Sequence, residues 1–180
     1  AWALDYDTPA VDQGTLKKVN LRHYNPTGMQ AFVYNTRRPI FQDVRVREAL
    51  AHAFDFEWTN KNLFFGQYAR TKSFFSNSDL ASTGLPEGLE LKILEKYRDQ
   101  VPSEVFTNSY QPPETDGMGW PREGLLKAQK LLSQAGWSVE NMSLTNQLTG
   151  EKFTFEILLY SEGFERIVLP FARNLMKLGI

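Results

Sequence analysis

The 180-residue sequence holds no cysteine and only two histidines, His23 and His52. Without thiols, disulfides, thiolate metal sites, iron–sulfur clusters and cysteine nucleophiles are excluded together. With two imidazoles, a histidine-based catalytic or metal centre has few ways to be assembled. Excess charge is also missing: 20 Lys and Arg stand against 21 Asp and Glu, a formal charge of −1. The electrostatic footprint of a nucleic-acid partner is therefore absent. The longest apolar stretches, such as Ile157 to Tyr160, fall far short of the roughly 18 residues that a bilayer span needs, and no membrane-spanning segment is expected. No Gly-x-Gly-x-x-Gly, Walker-type Gly-Lys-Ser/Thr or Gly-x-Ser-x-Gly occurs, which removes nucleotide-binding loops and serine-hydrolase elbows. The lack of Cys suits a reducing cytosol and an export route equally, so it leaves the compartment open.

What is present suits a globular protein. A 42% hydrophobic and 13% aromatic composition is enough for one core, and the length gives one domain as the prior. The ends, Ala1-Trp2-Ala3-Leu4 without an initiator Met or signal segment and Leu178-Gly179-Ile180 as a helix cap leading into a strand, give the expectation of a fragment of something longer.

Periodicity places the elements. Trp2 to Gly14 reads as connector. Alternation from Leu16 to His23 predicts a half-buried strand, and the denser Met29 to Tyr34 a strand covered on both faces, before a turn at Asn35 to Pro39. Asp43 precedes a helix whose apolar face is Val46, Ala49, Leu50, Ala53 and Phe54, and Asp55 caps a second helix from Phe56 to Phe65, closed by Gly66. Tyr68 to Gly84, with Phe74 and Phe75, reads as an ordered loop; Leu89 to Tyr97 is a short helix; Thr107 to Pro121 is a long irregular segment. Pro121 opens a helix running to Ala135, with Gly136 as its cap. After a turn at Asn146 to Gly150 come a strand, Phe153 to Tyr160, and a last helix, Glu165 to Leu178. The pattern predicts a mixed α and β domain with helices packed on a small sheet.

Chemistry is sparse. His52, Asp55 and Glu57 are close in sequence, but they share one helix face only if the helix runs through Asp55, where the capping reading stops it. The loop pairs Asp5 with Asp7 and Glu114 with Asp116 lack the ligand ladder of a calcium loop. A metal-assisted hydrolase built on His23, His52 and loop carboxylates has no supporting ligand spacing. Binding, not catalysis, is expected, with no cofactor and no metal. A protein-interaction module using the Phe74-Phe75 loop and the Pro112-Pro113 segment remains an alternative.

The segment Asp43-Val44-Arg45-Val46-Arg47-Glu48-Ala49-Leu50-Ala51-His52-Ala53-Phe54-Asp55 resembles the Asp-x-Arg-Val-Arg-x-Ala-Leu…Asp signature of the family 5 extracellular solute-binding proteins. Asn35-Thr36-Arg37-Arg38-Pro39-Ile40-Phe41 and Lys127-Ala128-Gln129-Lys130-Leu131-Leu132-Ser133-Gln134-Ala135-Gly136-Trp137 are similar to that family's lead-in and its Ala-x-x-Leu-Leu-x-x-Ala-Gly helix. Phe54-Asp55-Phe56-Glu57-Trp58, Pro102-Ser103-Glu104-Val105-Phe106 and Tyr110-Gln111-Pro112-Pro113 bring the resemblance nearest to Yej-type oligopeptide and microcin C receptors. It implies an α/β fold of the type II periplasmic-binding kind, with residues 1–28 as connector from the first lobe and 29–180 as part of the second lobe (domain III), a small mixed sheet flanked by helices. It further implies a periplasmic, non-enzymatic receptor of an ABC importer that takes oligopeptides between two lobes and delivers them to an inner-membrane permease. A nickel or sugar receptor of the same family is the alternative. By the same resemblance, Phe32, Val33 and Tyr34 at a strand end and Tyr160, Ser161, Glu162 and Arg166 at a strand-to-helix corner line the ligand cleft. Asp43, Arg45, Arg47 and Asp55 have structural roles. The unpaired edge of an incomplete sheet is expected to allow the isolated fragment to dimerise.

Overall fold

The computed structural model describes residues 4–180. Its elements in chain order are α1 (Pro9–Asp12), α2 (Val44–Ala53), α3 (Phe56–Leu63), α4 (Gly88–Leu94), α5 (Glu104–Thr107), α6 (Arg122–Gln134), β1 (Trp137–Glu140), β2 (Ser143–Asn146) and α7 (Glu165–Met176). Single 3₁₀ turns at Pro39–Phe41, Glu95–Tyr97 and Glu162–Phe164 precede or extend α2, α4 and α7. The chain is thus a mixed α and β protein, as its periodicity predicts. It divides into two compact units, residues 1–30 with 71–111 and residues 31–70 with 112–180.

The first unit contains no fully buried residue among those described. Polar ties hold its segments: the Asn77 side-chain amide donates to the carbonyls of His23 and Asn25, both at 2.9 Å, and the Thr27 amide donates to the Ser76 carbonyl at 2.8 Å. Residues 2 and 3 of the connector expected over Trp2–Gly14 lie outside the described residues. From residue 4 onward the connector holds one helical turn, α1. Residues 16–23, expected as a strand, form no ladder, and their apolar side chains are exposed.

The second unit carries the whole core. Val46, Ala49, Leu50 and Ala53 of α2 pack with Leu125, Ala128 and Leu132 of α6, and the cluster continues through Phe41, Trp137, Leu144, Phe153, Phe171, Leu175 and Leu178. Local chemistry fixes the helix ends. Asp43 accepts from the Arg45 amide at 2.9 Å and caps α2, satisfying a donor that the first turn leaves orphaned. The Arg45 side chain turns back onto the same carboxylate and also donates to the Gln134 carbonyl at 2.6 Å, tying the start of α2 to the end of α6. The Arg45 side-chain hydrogen bonds to Asp43 hold its carboxyl below the usual carboxylate range. Arg47 donates to the Phe41 and Gln42 carbonyls at 2.7 and 2.8 Å. At the other end of α2 the buried Asn174 amide donates to the Ala53 carbonyl at 3.0 Å. Pro121 is the residue before α6, one position earlier than its predicted place as the first helical residue. Gly136, at φ 85°, closes that helix in the left-handed conformation that glycine adopts without cost.

The close approach of α2 and α6 depends on Gly124, where an added Cβ would lie 2.4 Å from the His52 carbonyl oxygen. Neither backbone can yield without separating the helices. Gly124→Ala is therefore expected to cost about 1–3 kcal/mol despite alanine's better helix propensity, as overpacking does; equilibrium urea unfolding checks the sign.

The sheet departs from expectation. Among the described residues the ladder is a two-stranded antiparallel hairpin, β1 with β2, Trp137 opposite Asn146 and Glu140 opposite Ser143. It is extended by a bridge between Thr145 and Lys152. Asn141 and Met142 turn it with φ 49° and 62°, the positive pair of a two-residue hairpin loop. The predicted strands over Met29–Tyr34 and Phe153–Tyr160 form no strand ladder among the described residues. Their alternation is real: burial alternates through residues 31–34 and 153–160, with Phe32, Tyr34, Phe155 and Ile157 against the core and Val33 and Leu158 turned outward, 91% and 97% exposed. Apart from the Phe153 amide, which donates to the Leu144 carbonyl at 2.7 Å, neither has a backbone hydrogen-bond partner among the described residues.

Candidate functional site

The residues expected at a ligand cleft fall on two parts of the second unit that share α7. On the first, Phe32 stacks on Phe171 of α7 (centroids 4.7 Å) and meets the edge of Phe54 at 5.5 Å. Tyr34 lies against Phe41 at 5.2 Å. Both rings are committed to the core by one face, while Val33 between them faces outward. Burial pushes the Tyr34 phenol up to about 12, so at neutral pH it stays a protonated donor.

The second part is the corner that opens α7. The Ser161 hydroxyl accepts from the Gly163 amide at 3.3 Å, and Tyr160 packs on Phe164 at 4.8 Å. The Tyr160 ring is otherwise open, 85% exposed, and Glu162 is exposed beside it. Arg166, on the first turn of α7, sits over the Phe64 ring with its guanidinium carbon 5.4 Å from the centroid. It makes no ion pair among the described residues, so its in-plane donors are available to a carboxylate in the forked geometry that arginine favours. Five residues separate Arg166 from Phe171, about 7.5 Å along a helix axis. Five positions at about 100° each also turn Arg166 roughly 140° from Phe171, so the exposed Arg166 and the buried ring beneath Phe32 lie on different faces of α7. Among the described residues the arrangement offers aromatic walls and a cation without an ion-pair partner.

The catalytic trio that the sequence raised is not assembled. His52, within α2, is held below its ordinary pKa first by burial, with the Lys127 and Arg70 charges adding and Glu48 opposing. Asp55 and Glu57 instead converge on Thr115. The Asp55 carboxylate, 4% exposed, accepts from the Trp58 amide at 2.9 Å, the Gly119 amide at 2.9 Å and the Thr115 hydroxyl. Glu57 accepts from the Thr115 amide at 3.0 Å and its hydroxyl at 2.8 Å. One hydroxyl proton serves two carboxylates. This knot pins residues 112–121 to the start of α3, and Arg70 adds a donor to the Pro113 carbonyl. Sequence reading found the Asp55 cap, which is local, and missed Thr115, which is sixty residues away.

Two clefts open on the second unit. One, of about 410 Å³, is lined by Trp120, Leu125, Trp137, Val139 and Lys177; the other, of about 310 Å³, by Phe54, Trp58, Met118, Phe171 and Arg173. Neither contains any of the seven residues expected to line a ligand cleft. Among the described residues no group of three or more His, Asp and Glu could hold a metal ion, and no helix is long and apolar enough to cross a membrane.

The model of the family described as bacterial extracellular solute-binding proteins, family 5 Middle, matches residues 2–180. The chain is 46% identical over 181 residues to a protein of Agrobacterium fabrum named "Probable peptide-binding protein YejA", covering 99% of this chain and 30% of that protein. It is 41% identical to a protein named YejA of Escherichia coli, with the same coverage. It is 37% identical to a protein of Agrobacterium fabrum named "Peptidoglycan-binding protein YepA", of which it covers 29%. The chain spans under a third of the length of these curated relatives.

Proposed function

This chain belongs to the bacterial extracellular solute-binding proteins of family 5, a family of binding proteins and not of enzymes, and from that premise we propose that it is part of a periplasmic receptor that delivers oligopeptides to an inner-membrane ABC permease. The observation that carries this is its 46% identity, over nearly its whole length, to a protein named as peptide-binding. On this reading residues 29–180 belong to the second of two lobes and residues 1–28 connect to the first. A peptide lies extended between the lobes, held mainly through its backbone, and the lobes close on it about a hinge. Affinity near the micromolar level corresponds to roughly −8 kcal/mol shared by both lobes.

Within this lobe the proposed contacts are Phe32, Val33, Tyr34, Tyr160, Ser161, Glu162 and Arg166. Val33 and Tyr160 have free apolar surface to give. Phe32 and Tyr34 offer only the edges that the core leaves open. Arg166 is the proposed partner of the peptide's terminal carboxylate. The test is calorimetric binding of a set of short peptides, each with a free and an amidated C-terminus, to the intact protein and its Arg166→Ala variant. A charge-assisted hydrogen bond contributes about 1.5–3 kcal/mol, so the variant is expected to bind free-acid peptides about 10- to 100-fold more weakly and amidated ones nearly unchanged. Equal affinities in wild type and variant for free-acid peptides sink the assignment of Arg166; no binding of any peptide to the intact protein sinks the peptide reading. The identity to a peptidoglycan-binding protein favours one narrower ligand class, the short peptides of cell-wall fragments, which belong in the same panel.

A further inference from the structure

The Arg166 guanidinium rests over the Phe64 ring, and the chain around Phe64 is built to hold that ring in place. Phe64 ends α3 as its C-cap, its amide donating to the Asn60 carbonyl at 3.1 Å. The chain then reverses through Phe65, at φ 55°, and Gly66, at φ 71°. The left-handed conformation is unfavourable for a bulky residue such as Phe65, and it persists only where its surroundings impose it. Here the Gly66 amide donates to the Asn60 carbonyl at 2.9 Å and the Gln67 amide to the Phe64 carbonyl at 3.0 Å. The half-buried Asn60 side chain closes the turn, its amide donating to the Tyr68 carbonyl at 2.7 Å and its oxygen accepting from the Tyr68 amide at 3.0 Å. Held in this way, the Tyr68 ring lies 4.6 Å from that of Phe64.

Burial does not account for this turn, because Phe65 and Tyr68 are 53% and 55% exposed. Nor does helix stability account for Arg166. It is exposed and stands on the first turn of α7, where a cation opposes the helix dipole. What the strained turn and the misplaced cation share is the contact between Phe64 and Arg166. The face of a ring attracts a guanidinium without taking up its N–H donors. A long exposed side chain gives up rotamer freedom when it grips a ligand, and one already seated on a ring has given up part of that freedom beforehand.

We infer that Phe64, fixed by Asn60 and Tyr68, is a positioning residue for Arg166, which it holds ready for a carboxylate. The inference rests on the reading of Arg166 as the partner of a peptide's terminal carboxylate. Phe64 acts through Arg166 and contributes to the difference between free-acid and amidated peptides, not to the grip on the rest of the peptide.

Calorimetric binding of the same paired peptides to the intact protein tests it, with the variants Phe64→Leu, Phe64→Tyr, Asn60→Ala and Arg166→Ala and the double variant Phe64→Leu, Arg166→Ala. Phe64→Leu is expected to weaken free-acid peptides about 3- to 10-fold and amidated ones less than about 2-fold, the amidated arm showing that the fold and the remaining contacts are intact. Asn60→Ala, which releases the turn, should move binding in the same direction. Phe64→Tyr, which keeps a ring, should bind like wild type, and Phe64→Leu should add nothing once Arg166 is alanine. Wild-type affinity of Phe64→Leu for free acids, beside a weakened Arg166→Ala, overturns the positioning role and leaves Arg166 as the carboxylate partner. Equal weakening for free and amidated peptides overturns it too, since Phe64 would then act on the whole site. So does a Phe64→Tyr variant as weak as Phe64→Leu. Arg166→Ala binding free acids like wild type marks the failure of the carboxylate reading itself, and the positioning role falls with it.

Discussion

Phe171→Ala is expected to remove about 3–5 kcal/mol of stability, a large share of what a domain of this size possesses. Phe171 is 1% exposed and holds Phe32 and Phe54 in a three-ring group, stacked on one at 4.7 Å and edge-on to the other at 5.8 Å. Truncation leaves a cavity that rigid neighbours on α2 and α7 cannot fill, so the loss combines transfer free energy with the cavity cost. It also removes the surface on which Phe32 is seated, and with it the anchoring of residues 31–34. Urea unfolding of the intact protein should show the midpoint falling steeply for Phe171→Ala and only modestly for Phe171→Leu, which refills much of the volume. Phe75→Ala, at a half-exposed ring of the first unit, should stay within about 0.5 kcal/mol. A loss under about 1 kcal/mol for Phe171→Ala would mean that this ring cluster is not the packed centre of the unit.

The helices of this protein are legible from sequence because what defines them is local. Val46, Ala49, Leu50 and Ala53 mark one face within ten residues, Asp43 and Asp55 satisfy amides two or three positions ahead, and Gly136 adopts the left-handed cap that it signals. Strands are different, because alternation reports which face is buried but not whether a partner exists. The inward set Phe153, Phe155 and Ile157 is readable, and the absence of a neighbour beyond Leu144 is not. The hairpin of β1 and β2 escaped notice for a related reason: its turn is Asn141-Met142, and without the glycine that usually marks two positive φ angles the signal is weak. For the candidate site, the family pattern points to residues, but only coordinates reveal that Phe32 and Tyr34 are half spent on the core while Arg166 is left with open donors. Likewise the contacts of Asn174 with Ala53 and of Thr115 with Asp55 join positions too distant in sequence for any local rule to pair.

The largest polar effect should come from that last contact. Asp55→Ala is expected to cost about 3 kcal/mol, since it removes the cap of α3, strips the acceptor from the Gly119 amide and takes one of two carboxylate acceptors from the Thr115 hydroxyl. Asp55→Asn is the more informative change. Its single carbonyl oxygen can serve the Trp58 and Thr115 side or the Gly119 side but not both, and its amide then points a donor at a donor. It should lose about half as much as alanine. Thr115→Val, which keeps the shape and deletes the hydroxyl, should relieve Asp55 and Glu57 of a shared proton and cost about 1–2 kcal/mol. The residues are in contact, so the double variant Asp55→Ala, Thr115→Val should fall short of the sum of the single losses by about 1 kcal/mol. Limited proteolysis supplies the local readout. If the Asp55–Thr115–Glu57 knot is what pins residues 112–121, cleavage there should accelerate in Asp55→Ala well before global unfolding, while the linkers of the first unit are cut at unchanged rates. Additive losses with no new cleavage would mean instead that Asp55 acts only as the cap of α3, and that Gly119, whose added Cβ would stand 2.9 Å from the Trp58 indole nitrogen, holds the loop by packing.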